Sequence, residues 1–468
     1  MGKISKQTKI LLIMLAVLII LGLGFIIANK YILPEMEKYS REPLFLIGEG
    51  KITDVRLTTN RNDRTKVCRI VQSLEGWVIE GAEDMVLSAN DVSVMILKLR
   101  SIGLEEVISE PQHLSVYGLD NPSMIELNTD DGRYFKLLIG NKSPMNDGYY
   151  GMAEGDGRVC IISDIISGYA VYGARNLIEK QLYPFIPYES FLEIDSVKVI
   201  SANDDDDIII EKKPPELANS MSEINSYYIT ANGRYDMNFS AGDEFFKKVF
   251  NNNKAEAVID YDVNDDVRIL AKYGLDTPAY TLEFVRGGSA VVLHFGDKAE
   301  NYWYMQMEGR DVIYMIKDTF TTFLHENPKN LAERMMILRD MTIVSDLAFT
   351  DKNGVTAFEI SNKDQITVTS NGEMCDLTAF KSLYQVMVQL RYEDMMEPID
   401  GEPILTIDIA YQYGQPEKFE FIPLADDMLR CFVRINGEGD FFVLRKFVDK
   451  FVDDIQNYKE GQPIVSIF

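Results

Sequence analysis

The sequence predicts an α+β protein in which an N-terminal transmembrane helix is followed by three tandem units, each an antiparallel sheet with two helices. Three observations lead to this prediction. Residues 10–28 carry no charged side chain. Residues 117–142 recur without a gap as residues 273–298. Strand-like alternation and helix-like apolar stripes also follow one another in the same order three times, as in a repeat protein.

The first element is the apolar segment that starts at Ile10 and ends at Ala28. As a helix it would extend about 28 Å, close to the ~30 Å hydrocarbon core of a bilayer. Lys3, Lys6 and Lys9 precede it, which predicts a cytoplasmic N-terminus and an extracytoplasmic remainder. The alternative is a cleaved signal peptide, but the run is longer than a usual h-region and no A-x-A site follows. We therefore predict an uncleaved signal anchor in the cell membrane.

Length and composition fit several domains after this anchor. The chain has 468 residues, of which 46% are hydrophobic, so it can bury several cores. Its net charge of -26 argues against a nucleic-acid partner. The predicted segments are a cytoplasmic tail (1–9), the anchor (10–28), a juxtamembrane connector (29–50), and three α+β units that we call the first, second and third repeats (51–193, 194–340 and 341–468).

Each repeat is predicted to open with strands and continue with a helix. Residues 52–58 alternate between apolar and polar side chains, and Asn353-Gly354 is typical of a hairpin turn. The first helix carries an apolar stripe at i, i+3, i+4 and i+7, and Ser88 or Asn90 is its expected N-cap. The stripes of the three helices consist of Val92, Met95, Ile96 and Leu99; Phe245, Phe246, Val249 and Phe250; and Leu377, Phe380, Leu383, Tyr384 and Met387.

A four-stranded meander and a closing helix complete each predicted repeat. The closing helices are expected to begin at Asp164 and at Asp318 in the first two repeats, and to span residues 447–458 in the third. The meander strands are expected at 124–127, 135–139, 149–152 and 159–162; at 281–285, 290–295, 302–307 and 312–316; and at 404–411, 418–422, 429–435 and 441–444.

A six-residue turn precedes the meander in the first two repeats. Its glycine can adopt a positive φ, its aspartate suits an Asx-turn, its leucine can enter the core, and its proline can start a strand without an N–H group. We interpret the turn as structural, although Tyr and Asp could also form two equivalent ligand sites. The two copies are Tyr117-Gly118-Leu119-Asp120-Asn121-Pro122 and Tyr273-Gly274-Leu275-Asp276-Thr277-Pro278.

With the membrane span, this turn and strands that end in Ile139-Gly140 or Phe295-Gly296, the chain resembles the bacterial domain of unknown function 4340 family. The strand at 76–79 and the helix at Asp91 fit the same pattern. The resemblance covers residues 74–183 and 227–338, whereas the third repeat matches only in the order of its elements. The resemblance implies an accessory role beside ABC transporters of the gliding-motility type, with permease subunits as partners, and it supplies no catalytic residues.

Aromatic side chains occur at matching places in the first two repeats. Flat rings can stack on the apolar faces of sugars, so these residues are possible ligand contacts in a glycan or peptide groove. Half-buried cross-strand pairs are the competing structural interpretation. The residues are Tyr149, Tyr150, Tyr302, Trp303 and Tyr304.

Other candidate chemistry is weak. The acidic runs lack the ligand spacing of an EF-hand loop, and the histidines form no H-x-x-x-H pair. We therefore predict no cofactor, no metal site and no catalytic residue. The cysteines could be buried thiols or could pair within the first and third repeats. The residues concerned are Asp204 to Asp207, Asp260, Asp262, Asp265 and Asp266; His113, His294 and His325; and Cys68, Cys160, Cys375 and Cys431.

Three functions are open at this stage. The leading expectation is a membrane-anchored extracytoplasmic scaffold or accessory subunit of a membrane complex, not an enzyme. The alternative is a cell-envelope module that binds glycan or peptide through the Tyr and Trp residues. The third is an enzyme of unknown type, which would lose its activity on substitution of Asp120 or Asp276.

Overall fold

The computed structural model describes residues 43–464, except 62–63, 75, 83–84, 105, 109–110, 146–147, 203–206, 215–225, 232, 264–265 and 364. The anchor predicted at residues 10–28 and most of the acidic run that ends at Asp207 therefore lie outside the described residues. In the described part of the chain, no helix has the length and hydropathy needed to cross a bilayer.

The first sheet has eight antiparallel strands in the order β4-β3-β2-β7-β8-β9-β10-β6, and β1 pairs separately with β5. The strands are β1 (Phe45–Leu46), β2 (Ile52–Arg61), β3 (Arg64–Ser73), β4 (Gly76–Ile79), β5 (Ser101–Ile102), β6 (Glu106–Val107), β7 (Ser123–Thr129), β8 (Tyr134–Lys142), β9 (Tyr149–Ala153) and β10 (Cys160–Ile162).

The second sheet has nine strands in the order β14-β13-β12-β11-β16-β17-β18-β19-β15. These are β11 (Ile194–Ser201), β12 (Ile208–Lys212), β13 (Tyr227–Thr230), β14 (Arg234–Asp236), β15 (Ala257–Tyr261), β16 (Tyr280–Arg286), β17 (Ser289–Ala299), β18 (Tyr302–Met307) and β19 (Val312–Lys317).

The third sheet has nine strands in the order β23-β22-β21-β20-β25-β26-β27-β28-β24. These are β20 (Val344–Asp351), β21 (Gly354–Ser361), β22 (Thr367–Ser370), β23 (Glu373–Met374), β24 (Asp394–Met395), β25 (Leu405–Tyr411), β26 (Glu417–Leu424), β27 (Asp427–Ile435) and β28 (Glu438–Leu444).

All three sheets share one topology. The opening strands form one half, the meander forms the other, and a strand that comes between them in the chain pairs with the last meander strand at the far edge. The third repeat therefore has the same strand order as the first two, although it lacks the six-residue turn. The prediction of an α+β fold with three antiparallel sheets is confirmed. The far-edge strands β6, β15 and β24 were not expected from the sequence.

Helices cover one face of each sheet. Along β21 the side chains alternate between buried and exposed, as expected for a sheet with one covered and one open face. In the third repeat, two helices pack on β22, β27 and β28. The helices are α1 (Ala89–Leu99) and α2 (Asp164–Tyr172) in the first repeat, α3 (Phe239–Phe250) and α4 (Val267–Lys272) in the second, and α5 (Leu377–Val388) and α6 (Arg445–Lys459) in the third.

Side-chain caps fix where the first helix of each repeat begins. Ser88 Oγ accepts a hydrogen bond from Asp91 N at 3.3 Å, so Ser88 and not Asn90 is the cap of α1. Asn238 Oδ1 accepts from Ala241 N at 3.1 Å and caps α3. Asp376 caps α5 in the same way. A cap satisfies N–H groups that have no partner within the helix and contributes about 1 kcal/mol.

The closing helix expected at Asp318 is wrong as an α-helix. The chain there forms two short 3-10 turns, Asp318–Phe320 and Thr322–His325. Thr321 separates them and is completely buried. A buried β-branched residue at this point is a poor helix former, and Pro328 soon follows. The second repeat therefore does not close with an α-helix as the other two do.

The contacts divide the chain into two compact units, one that ends at Glu179 and one that begins at Lys180. The first compact unit contains the first sheet. The second contains the second and third sheets, whose core is built largely from phenylalanine. Among its fully buried rings are Phe245, Phe250, Phe295, Phe349, Phe358, Phe380, Phe419, Phe421, Phe432, Phe441 and Phe451.

Candidate functional site

The repeated turn packs against a glycine of the neighbouring strand. Gly118 and Gly274 have φ values of 70° and 67°, which a side chain would strain. A Cβ atom added to Gly140 would lie 2.0 Å from the carbonyl oxygen of Tyr117. The second copy reproduces this approach at 2.2 Å, between Gly296 and the carbonyl oxygen of Tyr273. Both strand glycines are therefore needed for the turn to sit this close.

The remaining turn residues lie at matching depths. Tyr117, Leu119, Tyr273 and Leu275 are buried, and each pair belongs to a small apolar cluster. The turn prolines are half-buried and precede the strands that begin at Ser123 and Tyr280, whereas the turn aspartates are exposed. These positions are those of a packing motif with its aspartates in solvent.

The third repeat makes the same packing contact with the roles exchanged. Leu405 pairs with Phe421 as Tyr280 pairs with Phe295, which places Ile422 where the second repeat has Gly296. The loop before β25 now carries the glycine. A Cβ atom added to Gly401 would lie 2.6 Å from Cγ2 of Ile422. Here the strand contributes the large side chain, and the glycine of the loop leaves room for it.

The five predicted ligand-contact aromatics are mostly turned inward. The rings of Tyr150 and Tyr117 meet edge to face at 4.8 Å, and Tyr304 meets Tyr273 in the same way at 4.7 Å. Tyr149 and Trp303 are 5% and 6% exposed, and Tyr302 is half-buried. Their role as ligand contacts stays a prediction.

Trp303 belongs to a polar cluster in the second repeat. Its Nε1 donates to Asp318 Oδ1 at 2.9 Å, and Lys298 pairs with the same oxygen at 2.8 Å. The Lys298 ammonium lies 5.3 Å from the indole centroid, within cation–π range. The hydrogen bond from Lys298 holds the pKa of Asp318 below its usual value. The ring centroids of His325 and Trp303 lie 6.1 Å apart.

A buried group of charges joins the second and third sheets. We call Lys213, Asp236, Arg339 and Glu417 the buried charge cluster. Lys213 Nζ lies 2.6 Å from Asp236 Oδ1, and both side chains are about 5% exposed or less. Arg339 bonds to the other oxygen of Asp236 and, at 2.9 Å, to Glu417 of the third repeat. Two cations thus face two carboxylates.

Burial and partner charges oppose each other in this cluster. Burial lowers the pKa of Lys213, because desolvation disfavours its ammonium form. Burial alone would raise the pKa of Asp236, but the charges of Arg339 and Lys213 outweigh it and hold the pKa below its usual value. Burial raises the pKa of Tyr411, which donates to Glu417. The cluster is stable as a neutral set of ion pairs and would be costly to leave incomplete.

Asp440 makes a second buried contact between these sheets. Its side chain is fully buried. It accepts hydrogen bonds from Tyr235 Oη at 2.7 Å and from Gly233 N at 3.1 Å, and it pairs with Lys329 at 3.1 Å. All three donors belong to the second repeat, whereas Asp440 belongs to the third. The two contacts together fix the position of one sheet relative to the other.

An open cavity of about 410 Å³ lies between residues 188–192, at the end of the first repeat, and the second repeat. Its wall is aromatic, and among the described residues the charged side chains that line it are Glu189 and Asp243. The rings at the base are buried, whereas Tyr188 and Phe239 at the mouth are 51% and 40% exposed. The lining rings are Tyr188, Phe191, Tyr227, Phe239 and Phe246.

Sequence reasoning missed both the buried charge cluster and the cavity. One signal for the cavity was available, because Phe239, Asp243 and Phe246 have the i, i+4, i+7 spacing of one helix face. An acidic residue within an otherwise apolar stripe breaks the usual pattern. The cluster gave no such signal, since its four members are far apart along the chain.

The remaining candidates lie apart from these features. Among the described residues, no group of three or more His, Cys, Asp or Glu side chains is placed to hold a metal ion. Asp207 accepts a hydrogen bond from Ser201 N at 2.8 Å at the base of its hairpin. His294 lies 3.2 Å from Thr281 Oγ1 on the second sheet. These side chains have local structural partners.

The cysteines are thiols in this structure, and no disulfide joins them in the described part of the chain. Three are buried and Cys375 is half-buried. Burial raises the pKa values of Cys160 and Cys431 to about 12, so both stay protonated at neutral pH.

Comparison with known proteins identifies the family. The model described as domain of unknown function (DUF4340) matches residues 77–260 and 228–404, which together make up more than half of the chain. The chain belongs to the DUF4340 family. The predicted resemblance is thereby confirmed. Both matches to DUF4340 begin at equivalent places, since Trp77 lies in β4 and Tyr228 in β13. No curated protein and no solved structure matches the chain.

Proposed function

We propose that this DUF4340 protein is a membrane-anchored extracytoplasmic scaffold, an accessory subunit of a membrane complex of the ABC-transporter type. The anchor predicted at residues 10–28 would hold it to the bilayer. The family resemblance drawn from the sequence supports a transporter partner. The repeats would supply the protein surfaces that the partner binds.

The observation that carries the proposal is the pair of buried polar contacts between the second and third sheets. A scaffold must present its binding surfaces in a fixed arrangement. Arg339 bridges Asp236 and Glu417 across the two repeats, and Asp440 adds a second buried connection. Buried hydrogen-bonded charges tolerate little displacement, because a separated pair leaves an uncompensated charge. This favours a rigid presenting element over a flexible tether.

The test is co-purification of the full-length chain after gentle detergent extraction of the native membrane, with mass spectrometry of the material recovered. The proposal predicts stoichiometric permease and ATPase subunits. A variant with residues 10–28 replaced by an unrelated apolar helix should retain them, since the contacts are assigned to the repeats. Asp236→Asn should reduce their recovery, whereas Val86→Asn, at the equivalent position of the first repeat, should not.

The opposite outcome would be a chain that emerges alone while its part from Glu35 onward is retained on isolated envelope. This would replace the scaffold with the glycan- or peptide-binding module. The two functions also differ at the aromatic residues. The binding module predicts loss of envelope retention for Tyr302→Ala and Trp303→Ala, whereas the scaffold predicts retained membrane partners for Tyr302→Ala. Tyr302 is the sharper choice because its half-buried ring disturbs the core less.

A further inference from the structure

The cavity has a composition that the fold shared by the three repeats does not require. Aligned from their helix caps, the three repeats place different residues at the Asp243 position: Ser93 in the first repeat and Lys381 in the third. The Phe239 position is Ala89 in the first repeat and Leu377 in the third. The same topology therefore forms without an acidic group and an aromatic ring at these positions. Their presence in the second repeat calls for a reason other than folding.

The walls of the cavity are suited to a cation with an apolar body. Aromatic faces carry negative electrostatic potential and attract ammonium groups, more strongly when water is excluded. Glu189 and Asp243, the charged side chains that the described residues contribute to the lining, are both acids. The volume of about 410 Å³ lies within the usual range for small-molecule sites. Exposed rings at the mouth leave the cavity accessible.

Asp243 contributes its charge to this wall. Asp243 Oδ2 lies 2.6 Å from Lys247 Nζ. Its Oδ1 is shielded from solvent and accepts no hydrogen bond from any described residue. A cation in the cavity would therefore interact with the charge of Asp243 without a direct hydrogen bond to Oδ1, and the exclusion of water strengthens such an attraction.

The chain's own side chains demonstrate the same chemistry at the rim. The Lys247 ammonium contacts Asp243 and also lies 5.7 Å from the ring centroid of Tyr188. One acid and one ring of this cavity thus already hold an ammonium group from the outer side. The inner rings, Phe191, Tyr227 and Phe246, have no such partner in this wall.

From this geometry we infer that the cavity binds a small organic ammonium ion, with its cationic head against Asp243 and the aromatic wall and with Glu189 near the entrance. This site is independent of the scaffold function, because its lining comes from residues 188–246 and uses none of the contacts to the third repeat. The ligand would be either a free ammonium compound or the headgroup of a lipid, and the shared chemistry is the quaternary or alkyl ammonium.

The test is isothermal titration of the full-length chain in a maltoside detergent, which carries no ammonium group. The two probes are choline and its uncharged carbon isostere, 3,3-dimethylbutan-1-ol. We expect choline to bind at least about tenfold more tightly than the isostere. Vesicles containing phosphatidylcholine then distinguish the sources: retention of the anchor-deleted chain on them indicates a lipid headgroup, and binding of choline alone indicates a free compound.

Three variants complete the test. Asp243→Asn should weaken choline binding about tenfold and leave the binding of the isostere unchanged, because only the charge is lost. Phe239→Ala, at the exposed mouth, should weaken both probes without unfolding the chain. Glu244→Gln is the matched control, since Glu244 also pairs with Lys247 but does not line the cavity. The affinity of this variant for choline should stay within about twofold of wild type. Equal binding of the two probes, or no choline binding at millimolar concentration, would overturn the inference.

Discussion

In the second repeat, the glycine at the contact between loop and sheet lies on the strand, and the loop before the meander contributes a backbone carbonyl. In the third repeat, the glycine lies on the loop and the strand contributes an isoleucine side chain. Because Gly296 has no side chain, the carbonyl of Tyr273 can approach it closely. Gly401 leaves room in the same way for the side chain of Ile422. Both arrangements bring the loop against the same point of the sheet. The strand order is therefore independent of the Tyr-Gly-Leu-Asp turn, and the close approach is what the fold requires.

A second difference separates the first repeat from the second. Val86 and Asp236 occupy equivalent edge positions, because their carbonyl oxygens accept hydrogen bonds from Glu179 N and Glu333 N respectively. Val86 is 49% exposed, whereas Asp236 is buried within the charge cluster. The same position of the shared fold is thus exposed to solvent in the first repeat, whereas in the second repeat it is buried and connects to the third repeat.

The largest expected effect tests this second difference. Asp236→Asn leaves Lys213 buried without an opposite charge and should lower the free energy of unfolding by about 3–5 kcal/mol. Val86→Asn should change it by less than about 1 kcal/mol. Urea unfolding of Asp236→Asn in a Trp77→Phe background, followed by the fluorescence of Trp303, measures the second repeat. Unfolding of Val86→Asn in a Trp303→Phe background, followed by the fluorescence of Trp77, measures the first, since the chain has only these two tryptophans. Equal effects of the two substitutions would contradict the assigned role of the cluster.

The next prediction concerns the strand glycine. Gly296→Ala would force its methyl group against a backbone carbonyl that cannot rotate away, and we expect a loss of about 3 kcal/mol. The same Trp303 signal measures it. Gly140→Ala should give a comparable loss in the first repeat, reported by Trp77 in a Trp303→Phe background. A near-neutral result in either repeat would mean that the turn can withdraw from the sheet.

Gly401→Ala should cost less, about 1–2 kcal/mol, because its methyl group meets a side chain instead of backbone. The contact predicts coupling between the two residues. Ile422→Ala alone should destabilise by about 2–4 kcal/mol, and the double substitution should cost at least about 1 kcal/mol less than the two single losses added together. Hydrogen–deuterium exchange of the β25 and β26 amides gives the readout, and strict additivity would argue against the exchanged packing.

The smallest expected effect is the pH dependence of the contribution that Asp236 makes to stability. The pKa of Asp236 is lowered in the folded protein, so its contribution to stability is present above its unfolded pKa of about 3.9 and is lost as the pH falls through the lower folded value. The difference in urea midpoint between wild type and Asp236→Asn should therefore stay constant from pH 7 to about pH 5 and narrow below pH 4. A difference that does not change over this range would indicate that Asp236 titrates normally.

The sequence predicted the parts of this fold that depend on local patterns. Strand alternation, the apolar helix stripes and the Asn353-Gly354 turn identified most elements, and Gly354 does have a positive φ, of 111°. The far-edge strands were missed because pairing with a distant strand, not local alternation, defines them. β6 is two residues long and carries too little pattern to detect.

The candidate sites were harder to predict than the fold. Charged residues at 213, 236, 339 and 417 are each typical of a solvated surface, and only the tertiary structure brings them together in the interior. Of the aromatic residues chosen from the sequence, Tyr150 and Tyr304 occupy matching positions because each packs on the tyrosine of its turn, Tyr117 or Tyr273. The cavity rings come from three separate segments, near Tyr188, at Tyr227 and near Phe239, that no repeat pattern links.

The far-edge strand has a consequence for how the chain folds. β15 is made before the meander but pairs only with β19, the last strand of its repeat, and Ala257 lies opposite Met315. β24 and β28 are related in the same way in the third repeat. Such pairings raise the contact order, and each repeat must complete a long loop before its edge is formed. During synthesis, therefore, no repeat can close until its final hairpin has emerged, and folding should advance in steps of one whole repeat.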